Sequence, residues 1–117
     1  PKQPFFIAPE DGTTAFLAGL WESWHNQATG ELVLSYAILT APAGTSLAPI
    51  HHRMPVVIHA NSRDAWLRLP PAEGSEITRL LAQEIARSQT LQFSIRPVSS
   101  TVNSPRNDDP RCIQAIN

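Results

Sequence analysis

Apolar residues recur along the chain in short runs broken by turn residues, with only one stretch of clear helical period. Phe5 to Ala8 is an apolar run that stops at Asp11-Gly12, and Ala15 to Trp21 is a second. The glycine-centred turn between them predicts a hairpin. After Thr29-Gly30, Leu32 to Thr40 alternates loosely and is apolar on both faces, as expected of a strand at the centre of a sheet or barrel. Ala41 to Pro49 is rich in Pro, Gly, Ser and Thr and reads as a loop with at most one helical turn. Val56 to Ile58 reads as a short buried strand, and Asp64 to Leu69 as a short helix stopped by Pro70-Pro71.

The one strong helix is expected from about Ser75 to Ala86. Ser75 would cap it, and Ile77, Leu80, Leu81 and Ile85 would form its apolar face. Glu76 and Arg87 sit at the ends where the helix dipole favours their charges. Leu91 to Ile95 alternates as a strand, and the polar tail beyond Pro97 reads as mostly loop. Strands outnumber helices, so the pattern predicts an α+β fold in a single domain.

Composition changes this picture little. Apolar residues make up 42% of the 117 positions, charged residues 16%, and the net charge is −1. That excludes a disordered, charge-rich chain and a protein held on nucleic acid by bulk charge alone; a local basic groove is still compatible. The single cysteine, Cys112, excludes an internal disulfide and a paired-cysteine zinc site. The uncharged stretch from Leu32 to Ile50 is broken by Pro42, Gly44 and Pro49, so no membrane helix is expected. With no signal peptide at its start, the chain is expected to be cytoplasmic. It begins at Pro1, already within strand-like sequence, so its start was removed or it is an internal segment.

Candidate chemistry concentrates at Ile50-His51-His52-Arg53-Met54-Pro55. In extended chain His51 and Arg53 would share one face and His52 take the other. An imidazole beside a permanently charged guanidinium suits proton transfer on an anionic substrate. A surface turn whose histidines bond backbone carbonyls fits the spacing equally well. A metal site from His51, His52 and His59 is disfavoured, because adjacent histidines diverge and no cysteine joins them. Trp21 and Trp24, with Glu22 between, could stack bases, but sealing a core is the favoured reading. Cys112 beside Arg111 is more simply inert than nucleophilic. In Ser99 to Asn103 the hydroxyls are expected to cap a helix rather than bind phosphate.

Taken in order, several segments resemble the SOS-response-associated peptidase (SRAP) family of abasic-site-processing proteins. They are Gln3-Pro-Phe-Phe-Ile, Phe16-Leu-Ala-Gly-Leu-Trp-Glu, Tyr36-Ala-Ile-Leu-Thr, Ile50-His-His-Arg-Met-Pro-Val, Trp66-Leu, Val98-Ser-Ser-Thr-Val-Asn and Arg106-Asn-Asp-Asp-Pro-Arg-Cys-Ile. The resemblance runs from Gln3 to Ile113. It implies a β-rich α+β fold, with mixed strands in a barrel-like sheet and a few short helices, and a basic groove for single-stranded DNA.

It also implies covalent capture of abasic sites. The amine and thiol of an N-terminal Cys condense with the ring-opened sugar to a thiazolidine, assisted by an Asn, a Glu and the His of H-x-R-M-P. On this correspondence His51 is the catalytic histidine, Arg53 holds a phosphate or shapes the groove, and Thr40 touches the DNA backbone. No metal or other cofactor is implied.

Position 1 is Pro, and the family's Asn and its G-[FY]-[YF]-E-W motif would lie upstream of it. Glu22 matches the later A-G-L-W-E segment and does not replace that Glu; Cys112 falls in the C-terminal segment. Residues 1–117 are therefore expected to be the C-terminal portion of one SRAP-like domain. Its partners would be single-stranded DNA with abasic sites and the missing N-terminal half, in the cytoplasm and, in a bacterium, at the nucleoid. Alone, such a portion is expected to expose strand edges and apolar surface. A truncated module that binds single-stranded DNA or a partner without crosslinking it is the alternative.

Overall fold

A computed structural model describes residues 2–69 and 74–116. In chain order the strands and helices are β1 (Phe5–Pro9), β2 (Gly19–His25), β3 (Leu32–Ile38), β4 (Thr40–Pro42), β5 (Arg53–Pro55), α1 (Arg63–Leu67), α2 (Gly74–Thr90) and β6 (Phe93–Pro97). Short 3-10 turns lie at Ala60–Ser62, Ser100–Asn103 and Pro110–Ile113. The class is α+β, as the pattern predicts. The described strands form three two-stranded antiparallel ladders and no closed barrel.

The chain divides into two compact units. The first joins the residues up to Thr14 with those from Gln92 onward. Here β1 pairs with β6, Phe5 opposite Pro97 and Pro9 opposite Phe93. The hairpin expected between Phe5–Ala8 and Ala15–Trp21 does not form. Gly12, at φ +79°, does make the turn, with its N–H on the Pro9 carbonyl. The Asp11 carboxylate takes the Thr13 N–H and hydroxyl, which ends the strand locally. The chain then leaves the ladder, and the Glu10 N–H bonds the Gln92 carbonyl instead. A local turn signal stops a strand without naming its partner.

In the tail, Ser99 accepts from the Thr101 N–H and Asp109 from the Arg111 N–H, so both act as caps of 3-10 turns. The Ser99 segment thus caps, as expected. Cys112 is buried with its Sγ 3.5 Å from the Asn107 carbonyl oxygen, and the Arg111 guanidinium is engaged by Asp109.

The second unit, Ala15–Leu91, holds the core of Ala18, Ala41, Val56 and Ile58, with Leu39, Trp66, Leu81 and Ile85 packed against it. Val56 to Ile58 is buried and extended, as expected, but the ladder strand beside it is β5, three residues earlier. Val56 donates to the Leu39 carbonyl and accepts from Ala18; Ile58 donates to Phe16. Trp66 donates its indole N–H to the Gly19 carbonyl at 3.2 Å, tying α1 to the start of β2. Helix α1 overlaps the segment predicted, starting one residue earlier at Arg63; Pro70 and Pro71, expected to stop it, lie outside the described residues.

Helix α2 corrects two expectations. It starts at Gly74, so Ser75 lies inside the first turn and is not the cap. It runs to Thr90 rather than Ala86, because its inward stripe continues in polar residues. Glu84 and Ser88 are 0% and 1% exposed, deeper than the apolar positions between and before them. Strand β3 is not central either: it pairs only with β2 among the described residues, and all its residues are exposed. Its two apolar faces are real, but nothing described covers them.

Candidate nucleic-acid interface

His51 and Arg53 stand at the start of the β4–β5 ladder, where Pro42 is paired with Arg53 and Thr40 with Pro55. Thr40 and Arg53 are diagonal neighbours on one face of that ladder, within reach of a long side chain. Arg53 Nη2 donates to the Thr40 carbonyl and to its hydroxyl, each at 2.9 Å, and Nε reaches the hydroxyl at 3.3 Å. These bonds fix the plane of the guanidinium and leave the Nη1 hydrogens for an external acceptor. A planar fork held this way suits a phosphate.

The Arg53 amide donates to His51 Nδ1 at 2.9 Å. The same nitrogen lies 3.2 Å from the Arg53 carbonyl oxygen, and the shorter contact decides the tautomer. Nδ1 is the acceptor, and the proton of the neutral ring sits on Nε2, at the exposed end of the side chain. His51 can therefore present a donor outward, while its ring angle is set by the backbone two residues on.

His52 does not take the opposite face. Its ring stacks on His51, centroids 4.5 Å apart and planes 19° apart. Both residues precede β5, so strand alternation does not govern them. His59 is elsewhere: its Nδ1 accepts the Asn61 N–H and caps a 3-10 turn. Among the described residues no three His, Cys, Asp or Glu side chains gather as metal ligands. Here, then, His51, Arg53 and Thr40 are one hydrogen-bonded group, joined by His52 but not by His59.

Trp21 and Trp24 do not seal the core. They are 75% and 55% exposed, on opposite faces of the β2–β3 hairpin, and Trp66 is the tryptophan that packs inward. Trp21 lies opposite Tyr36, which is 79% exposed. The hairpin has no Lys or Arg; from Phe16 to His52 the only charged residues are Glu22 and Glu31.

The residues that sequence reasoning missed support the site from behind. Ser88 Oγ accepts the Val57 N–H at 2.8 Å and lies within bonding distance of the Val57 and Glu84 carbonyls. Glu84 Oε2 accepts the His59 N–H at 3.2 Å, and Oε1 pairs with Arg87 at 3.3 Å. Gln89 donates to the Pro42 carbonyl at 3.0 Å. Their signal was available: Glu84 and Ser88 occupy the helix stripe begun by Leu80, Leu81 and Ile85, where a polar residue calls for a buried partner.

A small antiparallel scaffold thus holds an arginine fork on its ladder and an outward imidazole just before it. Residues 1–105 match the SOS response associated peptidase (SRAP) family, and the chain belongs to that family. It is 34% identical over 118 residues to the abasic site processing protein YedK of Escherichia coli, an alignment spanning 98% of this chain and 50% of the relative. It is 33% identical over 101 residues to the abasic site processing protein HMCES of Gallus gallus, spanning 86% of this chain and 28% of that one. A crystal structure of a protein from Bacteroides thetaiotaomicron shares the fold, with a TM-score of 0.70 at 22% identity over 100% of this chain and 50% of that chain. The chain thus spans half the length or less of these relatives.

Proposed function

We propose that this chain is the C-terminal portion of an SRAP domain that captures abasic sites in single-stranded DNA as a covalent thiazolidine. His51 is the proton-transfer residue, Arg53 the phosphate contact, and Thr40 both the brace of Arg53 and a contact to the DNA backbone. The observation that carries this reading is the His51–Arg53–Thr40 group: an outward imidazole N–H beside a guanidinium with unused donors. The names of the relatives supply the substrate class.

The chemistry needs both functions. An abasic sugar must open to its aldehyde before an amine can add, and the imine forms with loss of one water. The thiol of the same Cys then adds to the imine carbon, and its proton passes to the nitrogen, closing the ring. His51 Nε2 can donate to the sugar ring oxygen as the ring opens, or return a proton to the departing hydroxyl. Arg53 holds the neighbouring phosphate so that the sugar stays within reach. The amine and thiol come from an N-terminal Cys outside residues 1–117, and peptidase action on a residue preceding that Cys would expose it.

The hairpin faces fit the same reading. Apolar on both sides and without a cation, β2–β3 suits a protein surface better than a phosphate backbone. Its occupant is the N-terminal half of the same domain, the part of the relatives that this chain does not cover. A second reading, a binding module that does not crosslink, rests on Cys112. It is the chain's single cysteine and it is buried, so the chain by itself offers no exposed thiol.

The test uses the full-length protein and a labelled single-stranded oligonucleotide with one abasic site. A protein–DNA band that survives boiling in detergent is expected, forming more slowly in His51→Ala. A covalent band with unchanged kinetics of formation and reversal in His51→Ala rejects the role of His51. Binding without a covalent band supports the non-crosslinking module.

A further inference from the structure

We infer that helix α2 positions His51 from behind, through a glycine contact at Gly44, with Gln89 and Ser88 holding the chain on either side of the loop. The inference rests on His51 being the proton-transfer residue proposed above.

The loop that carries His51 is a small closed unit. The Ala43 amide donates to the His52 carbonyl at 2.9 Å and shuts its mouth. Inside it, Leu47 and Ala48 donate to the Gly44 carbonyl, and Ile50 and His51 donate to the Leu47 carbonyl. The His51 amide is therefore two hydrogen bonds from Gly44. Buried Leu47 fills the centre, and the Gly44 amide points to the Met54 sulfur at 3.4 Å. A unit tied this way moves as a body, so its seat determines where the imidazole stands.

That seat is the C-terminal end of α2. A Cβ at Gly44 would collide with the Gln89 backbone carbonyl and lie 2.8 Å from the Gln89 Cα. Nothing there is a flexible side chain, so the loop could accept a side chain only by lifting off the helix. Gln89 also donates to the carbonyl of Pro42, the residue paired with Arg53. Ser88 holds Val57, just beyond β5, at both its N–H and its carbonyl. Glu84 holds His59, further along the same segment. Helix α2 thus grips the chain on both sides of the His51 loop and touches the loop at its root. Gly44 is a positioning residue, and it acts on the reaction only through His51.

The test is a double-mutant cycle in the full-length protein, reading the single-turnover crosslinking rate constant at saturating abasic single-stranded DNA. A displacement near 1 Å can cost on the order of 10- to 100-fold in rate, so Gly44→Ala is expected to slow the folded protein by about that factor. A merely destabilised protein would lose amplitude while its folded fraction kept the wild-type rate constant. In the His51→Ala background Gly44→Ala is expected to cost nothing further. If Gly44→Ala does not fold, Gln89→Ala is read in the same way, since it removes only the side-chain bond to Pro42. The inference is overturned if the variant keeps the wild-type rate constant, or if the loss is as large without His51. If His51→Ala alone keeps the wild-type rate, the reading of His51 fails and takes this inference with it.

Discussion

Replacing Glu84 tests whether a buried carboxylate, and not helix packing alone, fastens α2 to the segment after β5. The carboxylate is fully buried, but neither partner is: Arg87, at 41% side-chain exposure, can return to water when the pair is broken, and the bond from the exposed residue His59 is only part-buried. The usual loss of about 3–5 kcal/mol for breaking a buried pair assumes a partner left charged and buried, so it overstates this case. The part-buried His59 N–H loses its acceptor, at no more than about 1–3 kcal/mol. Glu84→Ala adds the cavity of the removed side chain, for a total of about 2–4 kcal/mol. Glu84→Leu separates the two terms, since it restores volume and removes the desolvated charge but still orphans the His59 amide. Urea unfolding of the full-length protein should therefore place Glu84→Leu between wild type and Glu84→Ala, with unchanged m-values. A Leu variant as stable as wild type, or more so, would refute the hydrogen bond as the fastening.

Further outcomes follow from the site and the surface. Arg53→Ala should weaken single-stranded DNA binding and reduce the salt slope by about one, as for one lost phosphate contact. Arg53→Lys should not restore wild-type affinity, because an ammonium cannot make the fork onto Thr40; full restoration would contradict it. Trp21→Ala should cost about 3–5 kcal/mol in the full-length protein if the other half covers the hairpin, as in a packed core. A change within about 0.5 kcal/mol would mean that this face stays in water. The Asp109 carboxyl is held at about 2, below 3.8, chiefly by the hydrogen bond from Arg111. Its charged form is the one the fold favours, so the cap is whole above about pH 4 and is lost as pH falls through about 2. A carbon NMR titration of Asp109 with its midpoint near 3.8 would contradict this contact.

Sequence pattern was informative where local forces decide the structure. Helix α2 follows from Ile77, Leu80, Leu81 and Ile85 because its stripe buries against the chain's own core. The turn at Gly12 follows from a glycine at positive φ, and the Ser99 cap from a hydroxyl beside free amides. It was silent where partners are distant. The same Asp11-Gly12 turn fits a β1–β2 hairpin, yet β1 pairs with β6, more than eighty residues away, and nothing local encodes that choice. Trp21 is left uncovered by the described residues: a large apolar side chain predicts burial without saying by what. Of the site, the His51–Arg53 pairing was legible from the motif, and the stacking of His52 was not, because alternation stops where the strand does. Glu84 and Ser88 drew no reading from the sequence, and Gly44 stood only as one residue of a loop. Their roles depend on contacts 25 or more residues away along the chain.

The central claim is that His51 and Arg53 belong to a site where an abasic sugar becomes covalently bound through an amine and a thiol of the same residue. The most direct measurement is the denatured intact mass of the full-length protein after incubation with an abasic single-stranded oligonucleotide, with N-terminal sequencing of the free protein. The account predicts a sequence beginning with Cys, and an adduct whose mass is the sum of the two components less one water, stable without a reducing agent. A protein recovered only at its own mass, or an adduct seen only after borohydride trapping, would contradict it.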